Sequence, residues 1–273
     1  MFKPKRSKIE RLDFIIAGTQ KGGTSALHYH LDQHPHVTFA HPEEAHMIDH
    51  PRRHFFDDEE RFAEGKEVDY DILHDGIKLK PRSLVIGSCT PIYTYWRPAM
   101  ERIRDYHPKI KLIVLLRNPI ERAFSQWNMN WDRQREPLAF LEAVAAEMKE
   151  REESPGSQSR RRSYVDRGYY LEQIERVFRF FSREQVRLIK FEKFRSKTAE
   201  VVNDVFHFLG VKPLPKLKNR EQNRIPYERK ITAEERRYLY ELYKDDIAGV
   251  EKLLNWDCSD WKVTEAAAIS RSA

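Results

Sequence analysis

Cysteine is almost missing from this chain, with two in 273 residues, Cys89 and Cys258. Two thiols so far apart give neither a disulfide framework nor a metal-ligand spacing. They are expected to be free thiols in a reducing compartment, which makes the cytoplasm the expected location. Long apolar runs are missing as well. Nothing approaches the ~20 residues that a membrane-spanning helix needs. Residues 1–11 are basic but lack the apolar centre of a secretory signal, so no leader is expected. Charge of one sign is not in large excess. Lys and Arg number 49 against 43 Asp and Glu, a formal net charge of +6. That surplus is modest and spread along the chain. It reads as a solvated basic surface or as attraction to an anionic cofactor or substrate, and no nucleic-acid partner is expected. Glycine is sparse too, at 10 residues, yet three glycines fall within six positions of one another near the start.

What is present is a chain of one-domain length with enough hydrophobic content, 40%, for a sizeable core. No break in composition forces a second domain. Residues 12–262 read as a single domain, with a basic extension at 1–11 and a disordered tail at 263–273. The chain is organised around Phe14-Ile15-Ile16-Ala17-Gly18-Thr19-Gln20-Lys21-Gly22-Gly23-Thr24-Ser25-Ala26-Leu27. A short apolar run predicts a buried strand, the glycines a tight loop, and the pattern from Thr24 a helix that fades at His34-Pro35. Strand, Gly-rich turn and helix N-terminus make a phosphate cradle. Glycine lets the backbone approach an anion, the first helical N–H groups point at it, and Lys21, Thr24 and Ser25 add charge and hydroxyls. A nucleotide-hydrolysing P-loop runs G-x-x-x-x-G-K-[ST]. Gly18 and Gly23 keep that spacing and Ser25 sits at the hydroxyl position. Thr24, however, occupies the lysine position, and the lysine lies earlier in the loop at Lys21. A lysine there addresses a different atom of the ligand.

A second motif follows the apolar run Lys111–Leu116. It reads Arg117-Asn118-Pro119-Ile120-Glu121-Arg122-Ala123-Phe124-Ser125. Pro119 is placed to open a helix. Arg117 offers a planar fork to a phosphate, and Ser125 a hydroxyl two turns into the helix.

The two motifs together resemble those of sulfotransferases that use 3′-phosphoadenosine 5′-phosphosulfate (PAPS). The likeness is strongest to the branch that holds heparan sulfate sulfotransferases and their bacterial relatives, and it covers about Phe14 to Trp261. Strands alternate with helices along the chain, which implies a mostly parallel sheet covered on both sides, and the resemblance implies the same α/β fold, a mostly parallel central sheet flanked by helices. It implies transfer of a sulfuryl group from PAPS to a hydroxyl or amine, leaving adenosine 3′,5′-bisphosphate, with no metal required. Lys21 would neutralise the leaving oxygen, and Gly22, Gly23, Thr24 and Ser25 would hold the 5′-phosphate. Arg117 and Ser125 would hold the 3′-phosphate. Arg167-Gly168-Tyr169-Tyr170 is similar to the family's Gly-x-Tyr helix start, which puts Tyr170 near the nucleotide. Arg224, in the polar segment 213–230, would belong to a late loop closing over the cofactor. Glu44-Ala45-His46 looks like the family's Glu-x-His, which makes Glu44 the general base and His46 the second choice. The usual His-Phe-Phe-Asp continuation stands later, at His54-Phe55-Phe56-Asp57, so this assignment takes an insertion after His46. Without it Arg52 falls at the base position.

The chain also departs from the family pattern. Glu43 stands where relatives often carry lysine. Ser88-Cys89 replaces the Glu-Lys or Glu-Ala that relatives often carry before Thr90-Pro91-Ile92-Tyr93, which removes a substrate-side charge found in some of them. The acceptor is expected to be a sugar. Small-molecule, lipid or peptide acceptors stay open, as do an ATP-dependent kinase and a non-catalytic nucleotide-binding module. Oligomeric state is not legible.

Further expectations concern single segments. Asp57 to Gly65 reads as an exposed turn with a short helix, and Ser154–Arg162 as a mobile basic loop. Val186–Glu192 reads as a strand, Val201–Leu209 as a helix ended by Gly210, and Thr232 with Glu235 as a helix cap.

Overall fold

The structure is a computed structural model that describes residues 9–40, 54–74, 77–218, 227 and 229–263. In chain order its elements are β1 (Phe14–Gly18), α1 (Thr24–Asp32), β2 (Val37–Phe39), β3 (Val85–Cys89), α2 (Ala99–Tyr106), β4 (Lys111–Leu116) and α3 (Pro119–Asp132). They continue with α4 (Phe140–Glu153), α5 (Tyr170–Phe180), β5 (Val186–Lys190), α6 (Phe191–Ser196), α7 (Thr198–Leu209) and α8 (Ala233–Leu254). The chain packs as two compact units. The first is drawn from Met1–Leu116 and Arg176–Glu221, the second from Arg117–Glu175 and Gln222–Ala273.

The first unit carries the sheet. Its five strands lie in the order β2-β3-β1-β4-β5, and every neighbouring pair is parallel. Parallel neighbours need crossover connections, and the strand–helix alternation of the sequence supplies them. The strands read as near-continuous apolar runs because both faces are covered. Phe14, Ile16, Ile113 and Leu115 join Leu27 and Leu31 of α1 and Val202, Val205 and Phe206 of α7 in one cluster. The alternate residues Ile15, Leu112 and Val114, on the opposite face, are equally buried. Full burial of each such side chain is worth about 1.5–3 kcal/mol. The chain builds to one side of β1 for β2 and β3 and to the other for β4 and β5, so β1 is the topological switch. The crevice at the carboxyl end of a switch strand is where open α/β sheets bind ligands.

The second unit is helical. Its core includes Phe124 of α3, Phe140 and Val144 of α4, Tyr170 and Ile174 of α5, and Tyr243 and Ile247 of α8. Gly168 is required at its place because a Cβ would sit 2.4 Å from the Tyr243 phenolic oxygen. That phenol donates to Val165 O at 2.8 Å.

Several segment expectations change. The strand ends at Lys190, and Phe191–Ser196 turns into α6. Asp57 to Gly65 forms turns without a helix, and Asp57 is fully buried. Phe55 and Phe56, just before it, pack edge-to-face 5.1 Å apart, which draws this charged stretch onto the core. The Ser154–Arg162 loop is anchored at its basic end. Arg162 pairs with Glu136 at 3.1 Å and Glu150 at 2.6 Å, and Arg167 donates to Ser159 O and Arg160 O.

Candidate active site

In the first unit the candidate site begins where β1 ends. The β1–β4 ladder shifts register between Ile16 and Gly18, which releases the chain into the loop. Thr19 N–H donates to Leu115 O at 2.9 Å, and its hydroxyl donates to the same carbonyl. Gly22 N–H closes the turn on Thr19 O at 2.8 Å. A Cβ on Gly22 would meet Leu115 O and Thr19 O at 2.9 Å, so only glycine fits. Gly23 has φ +98° and lies against the Phe191 ring, where a Cβ would come within 2.6 Å. Lys21 takes a left-handed conformation, φ +66°, and is half-buried.

Gly23 is also the N-cap of α1, so no side chain caps this helix, and no carboxylate lies in its first turn. α2, α4, α6 and α7 also lack a side-chain cap, whereas α3 and α8 have one. Asn118 caps α3 by accepting from Ile120 N and Glu121 N, and Thr232 caps α8 by accepting from Glu235 N at 3.1 Å. The first turn of α1 carries Thr24 and Ser25 at the positive end of the helix dipole. The segment after β3 is stitched to the end of β1. Thr90 N–H donates to Ile16 O and Thr94 N–H to Ala17 O, both at 3.0 Å. Arg176 holds that segment from behind through Thr94 O and Tyr95 O. Tyr93 is buried under Phe56, and burial raises its phenol above the ordinary tyrosine value. Thr90 and Tyr93 therefore pack the loop.

The second motif lies in the second unit. Arg117 follows directly on the last residue of β4 and is 17% exposed, with Glu121 at 3.7 Å. Arg236 of α8 takes the other oxygen of Glu121 at 2.6 Å. Two guanidiniums thus share one carboxylate, and the group keeps a net positive charge. Ser125 is buried on the second turn of α3. The Tyr227 phenol donates to its Oγ at 2.9 Å. Tyr170 is fully buried, and its phenol donates to Arg117 O at 2.8 Å. The structure thus gives Tyr170 the task of holding the Arg117 backbone. Arg122, the other arginine of the motif, is no phosphate reader. It is fully buried and donates to Gln126 Oε1 at 2.8 Å and to Tyr164 O. Glu147 fixes the same stretch by accepting from Tyr164 N, Val165 N and Asp166 N. Burial, only partly offset by these donors, raises its carboxyl above the usual range.

Glu44, His46 and Arg224 lie outside the described residues, as does Arg52. The flanking His54-Phe55-Phe56-Asp57 is described: His54 Nδ1 lies 2.9 Å from Asp57 Oδ2. Among the described residues no group of three or more His, Cys, Asp or Glu is arranged to hold a metal ion. None of the described helices is long and apolar enough to cross a membrane.

A five-stranded parallel sheet with a glycine-rich loop and a helix after its switch strand defines an open α/β protein. The particular class follows from comparison: the chain belongs to the sulfotransferase domain family, whose profile matches residues 11–238. The chain is 28% identical over 204 residues to mouse bifunctional heparan sulfate N-deacetylase/N-sulfotransferase 4, matching 73% of this chain and 22% of that protein. The cow protein of the same description numbered 2 is 24% identical over 219 residues, 77% of this chain and 23% of that protein. The match therefore spans less than a quarter of the length of these curated relatives. Among solved structures, a sulfotransferase from Alicyclobacillus acidocaldarius superposes with TM-score 0.73 at 28% identity, over 93% of this chain and 99% of that one. Mouse sulfotransferase SULT7A1 complexed with PAP shares the fold, with TM-score 0.51 at 13% identity over 92% and 87% of the two chains.

Proposed function

We propose that this domain moves the sulfuryl group of PAPS to an acceptor hydroxyl or amine, on a carbohydrate or glycosylated molecule. The observation that carries the reading is the glycine-opened, uncapped N-terminus of α1 with Lys21 inside the loop ahead of it. The residues present fit the donor. Amides of Gly22 to Thr24 and the hydroxyls of Thr24 and Ser25 hold the 5′-phosphate. Arg117 and Ser125 hold the 3′-phosphate, Tyr170 steadies Arg117 from behind, and Arg224 closes over the nucleotide. Sulfuryl transfer, like phosphoryl transfer, is in-line displacement with charge growing on the leaving oxygen, so positioning and charge neutralisation do most of the work. Lys21 neutralises that oxygen as its bond to sulfur breaks. Glu44 takes the proton from the acceptor as the new bond forms, with His46 as the second candidate. No step needs a metal. The sugar acceptor rests on the heparan sulfate named in the relatives' descriptions. A cytoplasmic setting rests on the scarcity of cysteine.

Incubation with 35S-labelled PAPS and a panel of glycans, amino sugars and phenols tests the reading. Label should pass to a glycan and adenosine 3′,5′-bisphosphate should accumulate. Transfer to phenols alone would overturn the carbohydrate assignment. No transfer to any acceptor, beside transfer of the ATP γ-phosphate, would overturn the donor.

A further inference from the structure

His34, in the turn between α1 and β2, is a buried ionisable side chain with no part in the proposed chemistry. Both of its ring nitrogens are used. The His36 backbone N–H donates to Nδ1 at 3.0 Å. A nitrogen that accepts carries no proton, so the ring proton is on Nε2, which donates to Lys212 O at 2.8 Å. The contacts therefore select the neutral ring in one tautomer. Lys212 belongs to the chain that leaves α7 at Gly210. Gln33, next to His34, binds the far end of the same stretch. Its amide donates to Lys218 O at 3.1 Å, and its carbonyl accepts from Lys218 N at 2.7 Å. Val211 is buried, and Leu214 and Leu217 pack on the main apolar cluster. Residues 211–218 form a strap from the end of α7 to the end of α1. Apolar side chains hold it from within, and two consecutive side chains of the α1–β2 turn hold its backbone.

We propose that His34 is an acid-released latch, which fastens this strap while its ring is neutral and frees it when the ring takes a proton. A second ring proton would stand on Nδ1 and face the His36 N–H, so a donor would meet a donor. The charge would also be enclosed. From α7 the ring meets Phe206, centroids 4.7 Å apart, and from its own turn the His36 ring at 5.1 Å. Lys80, from the segment before β3, donates to the His34 carbonyl at 3.4 Å and adds like charge. Asp32, at the end of α1, pairs with Lys80 at 2.8 Å, and His30 of α1 lies 3.4 Å from the Gln33 amide. Burial, with like charge from His36 and Lys80, lowers the His34 pKa below the ordinary histidine value; the Lys212 carbonyl pulls the other way. The fastened state therefore prefers the neutral ring. As pH falls below that ordinary value, the open state takes a proton that the fastened state refuses, and the latch weakens. The ring turns out to water with its charge, and the Lys212 bond is lost with it.

Amide hydrogen exchange between about pH 7 and pH 5, corrected for the intrinsic pH dependence of exchange, tests the latch across the histidine range. In the wild type, the amides of 211–218 should lose protection by up to about tenfold per pH unit, the limit set by one proton. Those of β4 should keep theirs. His34→Gln keeps a donor for Lys212 O and cannot titrate, so protection of its strap should not depend on pH over the same range. Constant protection of the wild-type strap would overturn the proposal. So would an equal acid loss in His34→Gln, which would assign the effect to another group. The wild type alone gives a second reading, free of any folding defect in the variant. The His34 ring Cε1–H resonance should titrate at lower pH than those of exposed histidines, together with the Lys212 amide. Titration of His34 in the ordinary range with no change at Lys212 would overturn the latch.

Discussion

At the scale of single residues, the two motifs divide into groups that can meet a ligand and groups that hold the protein. Arg117 and Arg122 look alike in the sequence, five positions apart beside a proline-opened helix. The structure separates them by burial: Arg117 keeps partial exposure beside Glu121, whereas Arg122 is enclosed and spends its donors on Gln126 and Tyr164. Lys21 is fixed by the loop's glycines, and its assigned work is on charge that appears only in the transition state. Lys21→Ala should therefore lower kcat by about 10²–10³-fold with a much smaller effect on cofactor affinity. Glu44→Gln keeps shape and loses the proton acceptor. Single-turnover transfer in that variant should slow by about 10²–10⁴-fold with cofactor affinity near wild type. Near-normal single turnover would pass the role to His46. The loop lysine was legible because glycine spacing fixes its register. The base was not, because Glu44 and His46 stand in a His-rich segment whose register against the family pattern depends on an insertion.

At the scale of elements, helix ends carry the account. The α1 end is uncapped, and α3 and α8 are capped by Asn118 and Thr232. The start of α5 is served from another element: Asp246 of α8 accepts from Tyr170 N at 2.8 Å and Leu171 N at 3.0 Å. Burial pushes the Asp246 carboxyl up to about 6, well above the ordinary aspartate range, against the pull of those two N–H donors. A carboxyl whose pKa is raised by folding favours the folded state most below its unfolded value, and that advantage is lost as pH rises through the folded value. The stability of the wild type relative to Asp246→Asn should fall between about pH 4 and pH 6 and level off above. Chemical denaturation of both proteins across that range checks it, and a flat difference would place Asp246 in water. Such a cap joins residues 76 positions apart, so no local pattern announces it. The cap on α8 was legible because Thr232 and Glu235 are three residues apart. The α6 start was missed for a related reason. Val186 to Phe191 is continuous in strand character, and a six-residue helix has too few positions to show a period of its own.

At the scale of the molecule, alternating apolar runs and helical patterns announced the parallel sheet, because strands covered on both faces need no polar alternation. The positions of the two motifs were legible for a related reason, each being a short run that follows an apolar strand. The division into two compact units was not legible, since the second unit joins residues 117–175 to 222–273 and nothing in composition marks either boundary. Buried clamps such as Glu147 and Arg122 were hidden too, because a charged side chain in sequence reads as surface.

Under the proposed function, this protein selects a nucleotide bearing phosphates on both sides of its ribose. Thermal unfolding of the purified chain with saturating adenosine 3′,5′-bisphosphate, and separately with ATP and Mg²⁺, tests it most directly. A ligand that binds only the folded state raises the melting temperature in proportion to the logarithm of its concentration over its Kd. The bisphosphate should produce a clear, concentration-dependent rise and ATP with Mg²⁺ much less. Equal rises, or a larger one with ATP, would contradict the account.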